Sequence, residues 1–103
     1  MSEQKLHDED RRGMYAQELL DNPVFKDLWT DFEKQVIGEL KRSSPRDADG
    51  REKCVLMLQM LDKLKAMIEQ SAATGKMARM EIARKRTMME QARQWIGRDG
   101  LIA

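Results

Sequence analysis

Residues 54–68, CVLMLQMLDKLKAMI, decide the fold class of this 103-residue chain. Apolar side chains recur there at spacings of three and four, which is the pattern of an α-helix with a buried face. The first apolar row consists of Cys54, Met57, Leu61, Leu64 and Ile68. A second row beside it consists of Leu56, Met60 and Met67. An apolar arc this wide predicts a helix that contacts at least two other helices, from this chain or from another.

Two further helices are predicted on either side of a helix over about 48–73. Over about 23–42, one face carries Phe25, Trp29, Phe32, Val36 and Leu40. Asn22 is a capping residue and Pro23 suits a first helical position, so together they mark the start of that helix. A third helix is predicted over about 76–97, after Gly75. A single helix running through Gly75 stays open, because Gly costs only about 1 kcal/mol relative to Ala.

The remaining segments are turns and ends. Ser43–Gly50 contains Pro45 and predicts a turn, with Asp47 or Asp49 capping the helix that follows. Residues 1–13 are highly charged and predict a flexible arm, while residues 98–103 predict a short tail. No segment alternates with period two. The predicted fold class is therefore all-α, a helical hairpin or three-helix domain over residues 14–97 with a flexible N-terminal arm.

The residue counts exclude several classes of function. The single cysteine, Cys54, cannot form an internal disulfide, and the single histidine, His7, leaves no Cys/His zinc cluster and no placed acid–base pair. The longest apolar run, Cys54–Leu58, is far shorter than the roughly 20 residues that span a bilayer. We therefore expect a soluble protein of a reducing cytoplasm that is not an enzyme. We expect no catalytic residue, metal, cofactor, small-molecule substrate or membrane.

Charge is distributed unevenly along the chain. Residues 1–22 hold six acidic and three basic side chains, whereas residues 75–103 hold three acidic and seven basic ones. One interpretation is a contact with nucleic acid, for which the predicted side chains are Arg79, Arg84, Lys85, Arg86 and Arg93. Two other interpretations stay open: a solvated basic helix face, or a contact with the acidic N-terminal part of a neighbouring copy.

Methionine is unusually frequent, and seven of the nine methionines lie at or after residue 57. Core filling at helical spacing accounts for some of them. Methionine also forms adaptable surfaces that repack against partners, and a small helical core is relieved by oligomerisation. We therefore expect a homo-oligomer or docking to a larger protein. The predicted interface residues are Trp29, Phe32, Met57, Leu61, Leu64, Ile68, Met80, Met88 and Met89.

Four short stretches resemble small uncharacterised helical proteins that tailed bacteriophages encode among their terminase and virion-assembly genes. The stretches are ELLDNPVF at 18–25, RDADGRE at 46–52, LQMLDKL at 58–64 and TGKMA at 74–78. The resemblance implies a phage or prophage protein with an assembly or accessory role, in the bacterial host cytoplasm or the virion. None of these stretches is a catalytic motif, so the resemblance implies no functional residue.

The leading hypothesis is a non-enzymatic phage component that acts by helix-mediated self-association or by docking to a larger virion component. The first alternative is a packaging-type protein that binds nucleic acid through the basic C-terminal helix. The second alternative is a small inhibitor of a host protein, which the residues do not separate from the leading hypothesis.

Overall fold

The computed structural model describes residues 2–99, and these form three helices and no strand. Helix α1 spans Glu3–Asp21, α2 spans Pro23–Arg42 and α3 spans Ala48–Asp99. The all-α prediction is confirmed. Among the described residues, none of the helices combines the length and hydrophobicity that crossing a membrane requires.

Local capping explains where two of the helices begin. The side chain of Asn22 accepts hydrogen bonds from the backbone N–H groups of Val24 (2.9 Å) and Phe25 (3.0 Å), so α2 starts at Pro23 as predicted. The Asp47 carboxylate accepts from the backbone N–H of Gly50 at 3.0 Å. Of the two aspartates expected at this turn, Asp47 is therefore the cap.

The three helices form one elongated hairpin. Gly13 of α1 lies against Gly75 of α3, while Leu19 lies near Leu64, so α1 runs antiparallel to α3. Helix α2 follows after the Asn22–Pro23 junction and packs on the first part of α3. One arm of the hairpin therefore consists of α1 and α2 in succession, and the other is the 52-residue α3.

The expected flexible arm over residues 1–13 is wrong. Residues from Glu3 onward belong to α1, and Leu6 and Gly13 are buried against α3. These two residues lie seven positions apart and therefore share one helix face. A charged segment with a single leucine lacks an apolar pattern, so the periodicity did not reveal this helix, which Ser2 caps by accepting from the backbone N–H of Lys5.

Of the two possibilities left open at Gly75, the structure has the continuous helix: the segments predicted over about 48–73 and 76–97 form one helix, α3, from Ala48 to Asp99. Gly75 is buried at the contact with α1, where it serves close packing rather than helix termination. The first two residues of the predicted 98–103 tail continue α3, and residues 100–103 lie outside the described part of the chain.

The hydrophobic core is thin. Among the described residues, only Leu6, Val36, Cys54 and Ala78 are buried hydrophobic side chains, and none is fully enclosed. The molecule measures 84 × 25 × 15 Å, so it is one layer of two helices. Such a layer buries one face of each helix and leaves the neighbouring apolar positions at the surface.

Candidate interaction surface

The interface residues predicted from the sequence fall into two groups in the structure. Trp29, Leu61 and Ile68 are half-buried, on the side of each helix that faces the other arm. The remaining six are exposed: Phe32, Met57, Leu64, Met80, Met88 and Met89. The predicted set therefore mixes the internal contact of the hairpin with side chains that are free to contact another molecule.

The first exposed surface is a stripe on α3, which we call the methionine stripe: Met57, Met60, Leu64 and Met67. These side chains are between 37% and 69% exposed, with Met60 the most exposed. Their spacings of three, four and three keep them on one face of the helix. Cys54, Leu61 and Ile68 form the parallel row that faces the other arm. Helix α3 thus carries two adjacent apolar rows, of which the hairpin uses one.

The stripe continues across the hairpin onto α1. Tyr15 and Leu19 border the same open groove of about 750 Å³ as Leu64 and Met67. Tyr15 is 64% exposed and Leu19 is 41% exposed. The groove between the two arms is therefore mostly apolar and open to solvent, and Arg12 and Lys63 are the charged side chains that also line it.

Helix α2 carries aromatic side chains on the side that lies next to the methionine stripe of α3. Phe25, Leu28 and Phe32 follow one another at spacings of three and four, and Phe25 packs on Trp29 with ring centroids 5.5 Å apart. Leu28 and Phe32 are exposed. In an antiparallel helix pair, the residues next to the buried contact on one helix lie on the same side of the pair as the equivalent residues of the other helix. Leu28 and Phe32 therefore border the side that carries the methionine stripe.

Sequence reasoning missed Tyr15, Leu19 and Leu28 as surface residues. Tyr15 and Leu19 stand at spacing four, and Leu28 extends the α2 pattern, so the signal was present in the periodicity. The pattern did not tell which of the apolar positions would face the other arm.

The second exposed surface lies at the far end of α3. The first turns of α1 reach Met89, Glu90 and Arg93, and every described side chain from Arg86 to Gly97 is exposed. We call residues 94–99 the C-terminal extension, because α3 continues there beyond the residues that the first turns of α1 reach. Trp95 (60% exposed) and Ile96 lie on it, and neither was among the predicted interface residues.

The apolar side chains at this end share a face. Met88 and Trp95 stand seven residues apart, as do Met89 and Ile96, with Ala92 between the two pairs. All four large side chains are more than half exposed. The end of α3 thus presents an exposed apolar face, which the first turns of α1 border at Met89.

The five basic residues that were predicted to bind nucleic acid have different surroundings in the structure. Arg79 forms an ion pair with Asp10 of α1, with Nε and Oδ1 2.9 Å apart. Lys85 is half-buried and lies beside Glu9 and Glu81. Because α1 is acidic and runs along the basic half of α3, the chain partly neutralises its own positive charge.

Arg84 is engaged within α3. Its Nε donates to Glu81 Oε2 at 3.0 Å, and this hydrogen bonding holds the pKa of the Glu81 carboxyl below its usual value and raises the pKa of Arg84. Arg86 and Arg93 are exposed beside the apolar face at the end of α3. Lys85, Arg86 and Arg93 line one open pocket together with Glu3 and Glu90, whereas Arg79 and Arg84 are engaged with other carboxylates.

Within residues 2–99, no group of three or more His, Cys, Asp or Glu side chains is placed to hold a metal ion. Cys54 is a buried free thiol in the contact between the two arms. No known protein family matches the chain, and no curated protein or solved structure is significantly similar to it.

Proposed function

We propose that this protein is a non-enzymatic assembly component of a bacteriophage, acting by docking its helices onto a larger virion protein. The observation that carries the proposal is the exposed apolar face at the end of α3. Met88, Met89, Trp95 and Ile96 lie there, with each side chain more than half exposed. An isolated solvated helix gains nothing from such a face, whereas a partner groove would bury it.

The charge around this face indicates what kind of groove would accept it. Arg86 and Arg93 flank the row of Met89 and Ile96, seven residues apart. A complementary partner is an apolar groove with carboxylates along its rim, since these would pair with the two guanidinium groups. Trp95 is the side chain best suited to anchor such a contact, because tryptophan dominates the energetics of many interfaces.

The phage origin of the proposal comes from the four sequence stretches that resemble phage-encoded helical proteins. The packing surfaces support the assembly role independently of that origin. The nucleic-acid alternative receives less support, because Arg79 and Arg84 are already engaged with Asp10 and Glu81.

The test is native mass spectrometry of the tagged full chain expressed during phage production, followed by binding measurements with the purified partner. We expect a virion protein as partner, and an affinity at least tenfold weaker for Trp95→Ala/Ile96→Ala. The matched control is Met80→Ala, which removes an equally exposed side chain of α3 outside the extension. Recovery of nucleic acid or a host enzyme as the specific partner would contradict the proposal, as would unchanged virion-protein affinity of the double variant.

A further inference from the structure

We propose that a second copy of this chain covers the methionine stripe, so that two hairpins pack face to face as a four-helix bundle. The biological purpose of such a dimer rests on the assembly role proposed above. It concerns a different surface from the C-terminal extension, on the side of the hairpin bordered by Tyr15, Leu19, Leu28 and Phe32.

The first argument is the shape of the molecule. An α-helix with its side chains is about 10–12 Å across, so a body with cross-section 25 × 15 Å contains two helices in a single layer. Stable domains bury their apolar faces between at least two layers. The described residues contain no fully enclosed side chain, so the second layer is missing from the single chain.

The second argument is the spacing of the two rows on α3. Cys54, Leu61 and Ile68 face the other arm, and the methionine stripe lies beside them at the same heptad period. Each helix of a four-helix bundle contacts two neighbours and therefore needs two adjacent apolar rows. Helix α3 has both rows over residues 54–68, and the hairpin supplies a neighbour for only one.

The third argument is the amount of exposed apolar surface. Eight side chains between 37% and 69% exposed border this side of the hairpin: Tyr15, Leu19, Leu28, Phe32, Met57, Met60, Leu64 and Met67. Together they expose on the order of 800 Å², which is what one partner contributes to a standard protein interface. A dimer that buried this whole face would therefore reach the size of a standard interface.

The fourth argument identifies the occupant as a second copy. The four side chains of the stripe carry no charge over about three helical turns, and the groove beside them is also lined by two basic side chains, Arg12 and Lys63. A two-fold interface brings the same patch of both subunits together, so an uncharged apolar patch suits it while a charged one would repel itself. Flexible methionine side chains can also interdigitate with their own copies without requiring an exact shape match.

The experiment is sedimentation equilibrium of the full chain across a series of concentrations. We expect a species of twice 12.0 kDa for the wild type and for Met80→Lys. Met60→Lys and Met67→Lys should be monomeric while keeping the helical circular dichroism of the wild type. Met80 is as exposed as these residues but lies on another face of α3, so it is a matched control.

A second measurement covers the case in which the lysine variants do not fold. A nitroxide on Lys63→Cys, in a Cys54→Ala background, is mixed with an isotope-labelled copy that carries no nitroxide. We expect the nitroxide to attenuate the signals of Met60, Leu64 and Met67 in the other copy. A monomeric wild type, a dimer unaffected by both lysine variants, or attenuation confined to another surface would overturn the proposal.

These results are distinguishable from those for the proposed function. Loss of the dimer in Met60→Lys leaves the C-terminal extension free to bind a virion protein. Conversely, Trp95→Ala/Ile96→Ala should abolish that binding and leave the dimer intact.

Discussion

Gly13 of α1 and Gly75 of α3 are in backbone contact where the two helices pack. A Cβ atom on Gly75 would lie 2.5 Å from the Gly13 Cα and 2.8 Å from the carbonyl oxygen of Glu9. Both distances are shorter than atoms tolerate, so any larger residue there forces the helices apart. The contact fixes the register of α1 on α3.

Gly75→Ala is therefore expected to destabilise the fold, although alanine is the better helix former. The gain of about 1 kcal/mol in helix propensity is outweighed by overpacking that costs about 1–3 kcal/mol. The matched control is Gly97→Ala, because a Cβ there meets nothing within 4 Å and should stabilise α3. Thermal unfolding at one fixed protein concentration measures both variants. A Gly75→Ala variant as stable as Gly97→Ala would refute the close contact.

Leu6→Ala tests whether α1 is docked at its N-terminal end. Leu6 is only 3% exposed, so its truncation should cost about 2–3 kcal/mol of folding free energy. Met80→Ala, at an exposed position of α3, should change the stability by about 0.5 kcal/mol or less. Chemical denaturation followed by circular dichroism gives both values. If Leu6→Ala were as stable as Met80→Ala, residues 1–13 would be a flexible arm and the docking of α1 at Leu6 would be refuted.

Asp10 and Arg79 should show a measurable but small coupling. Both side chains retain solvent contact, so a double-mutant cycle with Asp10→Asn and Arg79→Gln should give about 0.2–1 kcal/mol. The coupling should fall as salt rises from about 0.01 to 1 M, since the Debye length shortens from about 30 to 3 Å. A cycle with Asp10→Asn and Arg93→Gln provides the control, with no coupling expected. Identical coupling energies in the two cycles would exclude a specific ion pair.

The continuity of α3 through Gly75 can be measured as a distance. Residues Asp62 and Glu90 are exposed and 28 positions apart, which corresponds to about 42 Å along one α-helix. Spin labels on Asp62→Cys and Glu90→Cys, in a Cys54→Ala background diluted with unlabelled chain, should report that separation by pulsed electron resonance. Two helices folded back at Gly75 would instead bring the labels within about 20 Å.

Much of the fold was predictable because helix signals are local. The periodicity of Phe25, Trp29 and Val36 and the cap at Asn22 placed α2 at its observed bounds. The single cysteine and single histidine excluded several kinds of site by composition alone. The sequence did not separate internal from exposed positions within the predicted interface. Leu61, Leu64 and Ile68 all follow helical spacing, but Leu61 and Ile68 face the other arm whereas Leu64 is exposed.

The sequence by itself determined an all-α chain, the start of α2, the turn before α3 and an excess of apolar positions over what one partner helix can cover. Only the tertiary structure decided that Glu3–Asp21 is helical, that α3 runs through Gly75 and which apolar row lies inside. The physical reason is that helical spacing depends on neighbouring residues alone, whereas burial depends on where the second helix packs. At Gly75 that second helix is α1, and the close approach makes a glycine that would ordinarily end a helix part of its interior.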